Sequence, residues 1–179
     1  MPHIAIDNGL PGISGLLTLR PDTAAPLGML ADALLRAPAP MSRGERELVA
    51  AYVSHLNGTR FCEGAHSAFA AAQLEGGEDL VKAALTDLSS APLPERMRAL
   101  LRIAAQVQAQ AAPVSPEAVA AARAAGAGDT EIHDTVLIAA AFCMYNRYVD
   151  CLATDLPADP GYYAEGAKRI VDSGYSHGN

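Results

Sequence analysis

Cys62 and His66 are the closely spaced cysteine and histidine of this chain, and their types and spacing could do chemistry. Four residues apart on a helix, they share one face, a turn from each other. A thiol at a helix start meets the positive end of the helix dipole, and an imidazole one turn on can accept its proton or pair with the resulting anion. Those features describe a thiolate site. The plain alternative is a core cysteine packed as a small hydrophobe, beside a histidine satisfied by a backbone group. Spacing leaves both open. His55 is expected at the surface near the end of the preceding helix. If the two helices fold back as a hairpin, Cys62 faces the Ser54 end, so spacing does not bring Glu47 beside it. A metal centre of Cys62, His66, His55 and Glu47 would rest on one Cys-x-x-x-His pair, without a CxxC or a second Cys/His pair, so neither metal nor cofactor is expected.

The elements that must position this pair span residues 42–75. Ser42 and Glu45 have the spacing of a capping box. Leu48, Val49, Tyr52, Val53 and Leu56 then form an apolar stripe, and Asn57-Gly58 stops the helix. A second helix begins at Thr59 or Phe61 and runs to Gln73 or Leu74. Residues 1–20, rich in Gly and Pro, read as an ordered arm suited to lie on a neighbouring subunit. Helical spacing follows from Pro21 to Arg36, over 78–88, from Glu95 to Gln110 and from Ser115. Asp129 is expected to cap the longest helix, the late helix of residues 129–153. Asn146, Arg147 and Asp150 lie near its end, with Arg147 read as a polar cap or partner of Asp150. Asp159-Pro160 opens a last helix. No segment alternates like a strand, so the chain reads as all-α, a single domain over residues 1–179 with about seven helices.

Half of the 179 residues are hydrophobic and 18% are charged, the balance of a globular protein. A net charge of −7 without a Lys/Arg cluster argues against a nucleic-acid partner. The start has no basic segment followed by an apolar one, and no apolar run approaches the roughly 18 residues of a membrane span. Three cysteines in such a chain fit a reducing, cytoplasmic setting better than a disulfide framework. Cys143 and Cys151 read as packing residues of the late helix.

The stretch ERELVAAYVSHLNGTRFCEGAHSAFAA resembles the core motif of the AhpD-like alkylhydroperoxidases, in the carboxymuconolactone decarboxylase superfamily. That motif has a Glu, then Ser and Asn late in one helix, then Cys-x-x-Cys-x-x-x-His. Glu47, Ser54, Asn57, Cys62 and His66 fall on it in register. The flanks LPGISGLLTLRPDTAAPLGMLADALLRAPAPMSRGERE and EIHDTVLIAAAFCMYNRYVD are similar to the peroxidase-related branch. The resemblance implies an AhpD-like helical bundle assembled as a homo-oligomer, a trimer or a hexamer. It implies that Cys62 attacks a peroxide O–O bond and becomes a sulfenic acid, with Glu47 and His66 as the proton relay. One departure stands out. Thr59 replaces the first motif cysteine, which would resolve the sulfenic acid, and Phe61 replaces a relay histidine of some members. An internal CxxC cycle is therefore impossible.

The resulting expectation is a thiol-dependent hydroperoxide reductase, an antioxidant peroxidase acting on a small hydroperoxide. Cys62 would be resolved by an external thiol, by Cys143 or Cys151, or by another subunit. Thr59 could still donate a hydrogen bond toward the sulfur or a peroxide oxygen. Phe61 and Phe69 would line a small apolar site, approached by Asn146 and Arg147. Two other readings remain: a carboxymuconolactone decarboxylase-type lyase using His66 and Glu47 as acid and base, and a non-enzymatic oligomeric redox sensor or binding protein.

Overall fold

Nine helices and no strand occur among residues 1–176, which the computed structural model describes. In chain order they are α1 (Gly12–Leu19), α2 (Pro21–Leu35), α3 (Arg43–Asn57), α4 (Arg60–Ala71), α5 (Gly77–Thr86), α6 (Glu95–Ala109), α7 (Pro116–Ala124), α8 (Asp129–Cys151) and α9 (Tyr162–Ser173). The all-α reading holds. The helix count exceeds the seven expected, in part because α1 forms inside the segment read as an arm.

Local chemistry sets the central hairpin. Ser42 Oγ accepts from the Glu45 amide at 3.1 Å, and the Ser42 amide donates to Glu45 Oε2 at 2.8 Å, completing the capping box that starts α3. Gly58 ends α3 in the left-handed region, at φ 71°. The Thr59 amide donates back to the Ser54 carbonyl at 3.0 Å, and α4 begins one residue later, so the chain reverses. At α8 the cap is Gly128, not Asp129: the Gly128 amide donates to Glu131 Oε2 at 2.8 Å. Arg96 on α6 donates to the free oxygens of Glu45 and Glu131, tying the starts of α3 and α8 together.

The core lies between α3, α6 and α8. Leu48, Val49 and Val53 meet Leu100, Leu101 and Ile103, and Ile138 and Phe142 close the layer; all are buried. On the other side of the hairpin, Ala167 and Ile170 of α9 pack on Ala65 and Phe69 of α4. No helix among the described residues is long and apolar enough to cross a membrane.

The first twenty residues dock on their own chain. The His3 amide donates to the Leu152 carbonyl and the Gly12 amide to the Asp155 carbonyl, both at 2.9 Å. The segment read as an ordered arm is thus clasped to the α8–α9 connection of its own chain. Docking explains α1 itself, since an eight-residue helix with two glycines gains its stability from burial of Leu16 and not from propensity. Gly12 takes φ 56° and lies so close to Phe61 that a Cβ there would overlap the ring. Ser14 Oγ and the Tyr162 hydroxyl, 3.1 Å apart, join α1 to α9.

Gly12→Ala should therefore destabilise the fold by about 2 kcal/mol, from left-handed strain plus overpacking. Urea unfolding checks this; an unchanged midpoint would mean that Phe61 moves aside freely.

Candidate functional site

The site begins with a carboxylate that burial would penalise without partners. Glu47, from the middle of α3, is 1% exposed. Its Oε2 lies 2.7 Å from His66 Nδ1 on α4, and its Oε1 accepts from the Tyr175 hydroxyl at 2.6 Å. With Nδ1 turned to the carboxylate, His66 Nε2 makes no hydrogen bond among the described residues. A histidine so held presents a lone pair at Nε2, the arrangement of a general base whose orientation a carboxylate fixes. Three rings frame the imidazole: Phe142 edge-on at 4.5 Å, Phe69 edge-on at 5.3 Å and Tyr175 nearly parallel at 6.2 Å.

Cys62, one turn before His66, is the third residue of α4 and is 3% exposed. It lies in an apolar cluster with Phe61 and Val149, covered by Tyr162 and Tyr163 of α9 and by Ile13 of α1. Phe61 packs against both tyrosines, at 6.1 and 5.9 Å. Burial pushes the Cys62 thiol up to about 12; a hydrogen bond from Asn146 opposes this, and the nearby Asp150 charge reinforces it. The helix start and the neighbouring imidazole led to the opposite expectation, a lowered value. Desolvation wins because the sulfur is sealed by side chains, and the resting group is a neutral thiol.

The other motif residues form a directed chain beside it. Gln108 Nε2 donates to Asn57 Oδ1 at 2.8 Å, Asn57 Nδ2 to Asn146 Oδ1 at 2.8 Å, Asn146 Nδ2 to Ser54 Oγ at 3.0 Å, and Ser54 Oγ to the Ala50 carbonyl at 2.8 Å. Each member is thereby oriented, which fixes the Asn146 amide next to Cys62. Asn57 Nδ2 is also 3.9 Å from Cys143 Sγ.

The structure brings together Cys62 and His66 on one face, Glu47 with His66, and Ser54 and Asn57 with Asn146. Thr59 is separate: its hydroxyl donates to Asp150 Oδ2 at 2.5 Å, so it is committed away from the sulfur. Arg147 donates to the Cys143 carbonyl at 3.0 Å and does not pair with Asp150. His55 pairs with Glu63 at the surface, at 3.2 Å. Cys143 is buried, and Cys151 is exposed. Phe69 faces the imidazole, and Phe61 packs in the cluster around the thiol. Two depressions at the surface, one lined by His55, Ser67 and Lys82 and the other by Gln73, Asp79 and Pro92, do not include Cys62. No group of three or more His, Cys, Asp or Glu side chains among the described residues could hold a metal ion. Tyr175 and Gln108 were missed by sequence reasoning. Nothing in their local sequence marks them, because each reaches the site only through tertiary packing.

Fold and site together define an all-α protein with a buried Cys, His and Glu on one helical hairpin. Among the solved structures that share that fold are two peroxidase-related proteins. One, from Ralstonia eutropha, is described as an alkylhydroperoxidase AhpD core, an uncharacterised peroxidase-related protein; it superimposes with a TM-score of 0.77 at 25% identity, over 88% of this chain and 82% of that one. The other, an uncharacterised peroxidase-related protein from a Silicibacter species, gives a TM-score of 0.76 at 25% identity, over 86% and 78%. No protein-family profile matches the chain, and no curated protein does. The chain has the AhpD-like fold of the peroxidase-related branch, as its motif of Glu47, Ser54, Asn57, Cys62 and His66 implied.

An ordinary thiol ionises near pH 8.5, whereas folded Cys62 stays protonated well above that. The ultraviolet thiolate signal, taken as the difference between the protein and its Cys62→Ser variant, should show no step between about pH 6 and 9. A step near neutrality would mean that the sulfur is far better solvated than its packing indicates.

Proposed function

We propose that this protein is a thiol-dependent hydroperoxide reductase in which Cys62 is the nucleophile and His66, oriented by Glu47, is the base. The observation that carries the reading is the 2.7 Å Glu47–His66 bond on the same helical face as Cys62. The likeness to peroxidase-related proteins supports it. In the proposed step the thiol proton passes to His66 Nε2 as the sulfur attacks the terminal hydroperoxide oxygen. An S–O bond forms and the O–O bond breaks. His66 returns the proton to the leaving alkoxide, giving an alcohol, and Cys62 becomes a sulfenic acid. A neutral resting thiol suits this order, because the charge appears only as the proton leaves.

Recovery needs a second thiol. It attacks the sulfenic sulfur, releases water and leaves a mixed disulfide, which a further thiol reduces. With a threonine and no thiol at position 59, that role falls to an external thiol of the thioredoxin or lipoyl type, or to Cys143 or Cys151. A small hydroperoxide as substrate, a homo-oligomer of trimeric or hexameric form and a reducing cytoplasmic setting belong to the same reading. The neutral thiol favours one rival, a carboxymuconolactone decarboxylase-type lyase in which His66 and Glu47 act as acid and base without the sulfur.

A brief pulse of organic hydroperoxide, followed by mass spectrometry, should find sulfenic acid at Cys62 ahead of Cys143 and Cys151. His66→Ala should slow it about a hundredfold, and Glu47→Gln should slow it as well. Oxidation of Cys62 no faster than of Cys143 would sink the peroxidase reading. Lyase activity surviving in Cys62→Ser but lost in His66→Ala would then establish the rival.

A further inference from the structure

Glu47 takes its second hydrogen bond from a residue outside the motif. Tyr175 lies 128 positions from Glu47, just beyond α9, and two features carry it inward. Gly174 turns the chain at φ 83°, where a Cβ would meet Asp32 Oδ1 at 2.6 Å and Arg36 Nε at 2.9 Å. Asp32 of α2 then receives the segment: the Tyr175 amide donates to Oδ1 at 2.8 Å, the Ser176 amide to Oδ2 at 2.9 Å, and the Ser176 hydroxyl also to Oδ2. Arg36, one turn on, donates to the carbonyls of Ile170 and Val171 and holds the end of α9. Burial opposes charge on Asp32, but the Ser176 and Tyr175 donors and Arg36 together hold its carboxyl below the usual carboxylate value.

We propose that Tyr175 is a positioning residue of the relay, and that residues 174–176 form a strap, latched to α2 through Asp32, which presses its hydroxyl onto Glu47. The proposal rests on the reading above only in that Cys62 supplies the proton moved. A carboxylate this deeply buried needs a partner on each oxygen. His66 serves Oε2, and Tyr175 serves Oε1. Burial and then the Glu47 charge keep the phenol well above its ordinary value, so it remains a donor. Without that donor, nothing fixes the rotation of the Glu47 carboxylate about its stem, and Oε2 is no longer held in line with His66 Nδ1. The charged and titratable groups around this cluster are Arg46 and Glu47 on α3, Cys62 on α4, Asp32 and Arg36 on α2, and Tyr175 itself. α8 presents the Phe142 ring, α4 adds Phe69, and α9 presents Ala167 and Ile170.

The test is the rate of Cys62 alkylation by iodoacetamide against pH, read by mass spectrometry, which needs no peroxide. Kinetics registers the proton leaving even where no thiolate accumulates. Tyr175→Phe keeps the ring that stacks on His66, and should slow alkylation about tenfold near neutrality. Because Tyr175 acts through Glu47, adding Tyr175→Phe to Glu47→Gln should slow the reaction no further. Superimposed profiles of the protein and Tyr175→Phe, or effects that multiply in the double variant, would overturn the proposal. If Tyr175→Phe does not fold, Asp32→Asn loosens the latch and should slow alkylation in the same way; an unchanged rate there overturns the proposal equally. Coupled alkylation without sulfenic acid after a peroxide pulse would leave the strap standing and remove the peroxidase.

Discussion

One hydrogen bond, from His66 to Glu47, bridges the two helices on which everything else converges. It is 2.7 Å long and buried, and it exists only if α3 and α4 pair in one register. A shift of one residue in either helix would turn Glu47 or His66 out of line. Much of the fold serves that register. The capping box fixes where α3 starts, Gly58 fixes where it stops, and Arg96 anchors its first turn to that of α8. Burying such a pair gives little net stability, since desolvation offsets most of the attraction. Its presence in the core is better explained by chemistry than by folding.

The same packing that dries this bond also neutralises the sulfur. A helix start contributes about 0.3–1 kcal/mol toward an anion. Enclosure by Phe61, Val149, Tyr162 and Tyr163 acts in the other direction and prevails, with the thiol pushed up to about 12. Under the proposed reading, proton transfer falls at the moment of reaction, with the imidazole and the carboxylate that orients it already in place. The Asn57–Asn146–Ser54 chain complements this by fixing one polar contact to the sulfur without letting in water.

Features set by nearby residues were readable from the sequence. Ser42 with Glu45, and Asn57-Gly58, announce the start and stop of α3, and the reversal between them places Ser54 at the Cys62 end. Pairing of Glu47 with His66 was implied by family likeness and not by spacing, because it depends on how the whole hairpin closes. α1 escaped notice since its helicity comes from docking. The direction of the thiol's shift was misread because helix position is visible in a sequence, whereas most of the side chains that exclude water come from α1, α8 and α9. Tyr175 was invisible for the same reason: its role depends on a turn at Gly174 and an acceptor on α2.

The bond between Thr59 and Asp150 has a bearing on protein engineering. Position 59 is wholly buried, and its hydroxyl holds a carboxylate whose charge acts on the Cys62 sulfur. Reinstating a two-cysteine motif by changing this residue alone would replace a good donor with a poor one and leave Asp150 next to both sulfurs. Negative charge there works against ionising either thiol and against the exchange that a vicinal pair must perform. Conversion to a self-resolving site is therefore a change of two positions at once, Thr59 and Asp150, and the single-thiol form is held in place by the neighbour that the threonine satisfies.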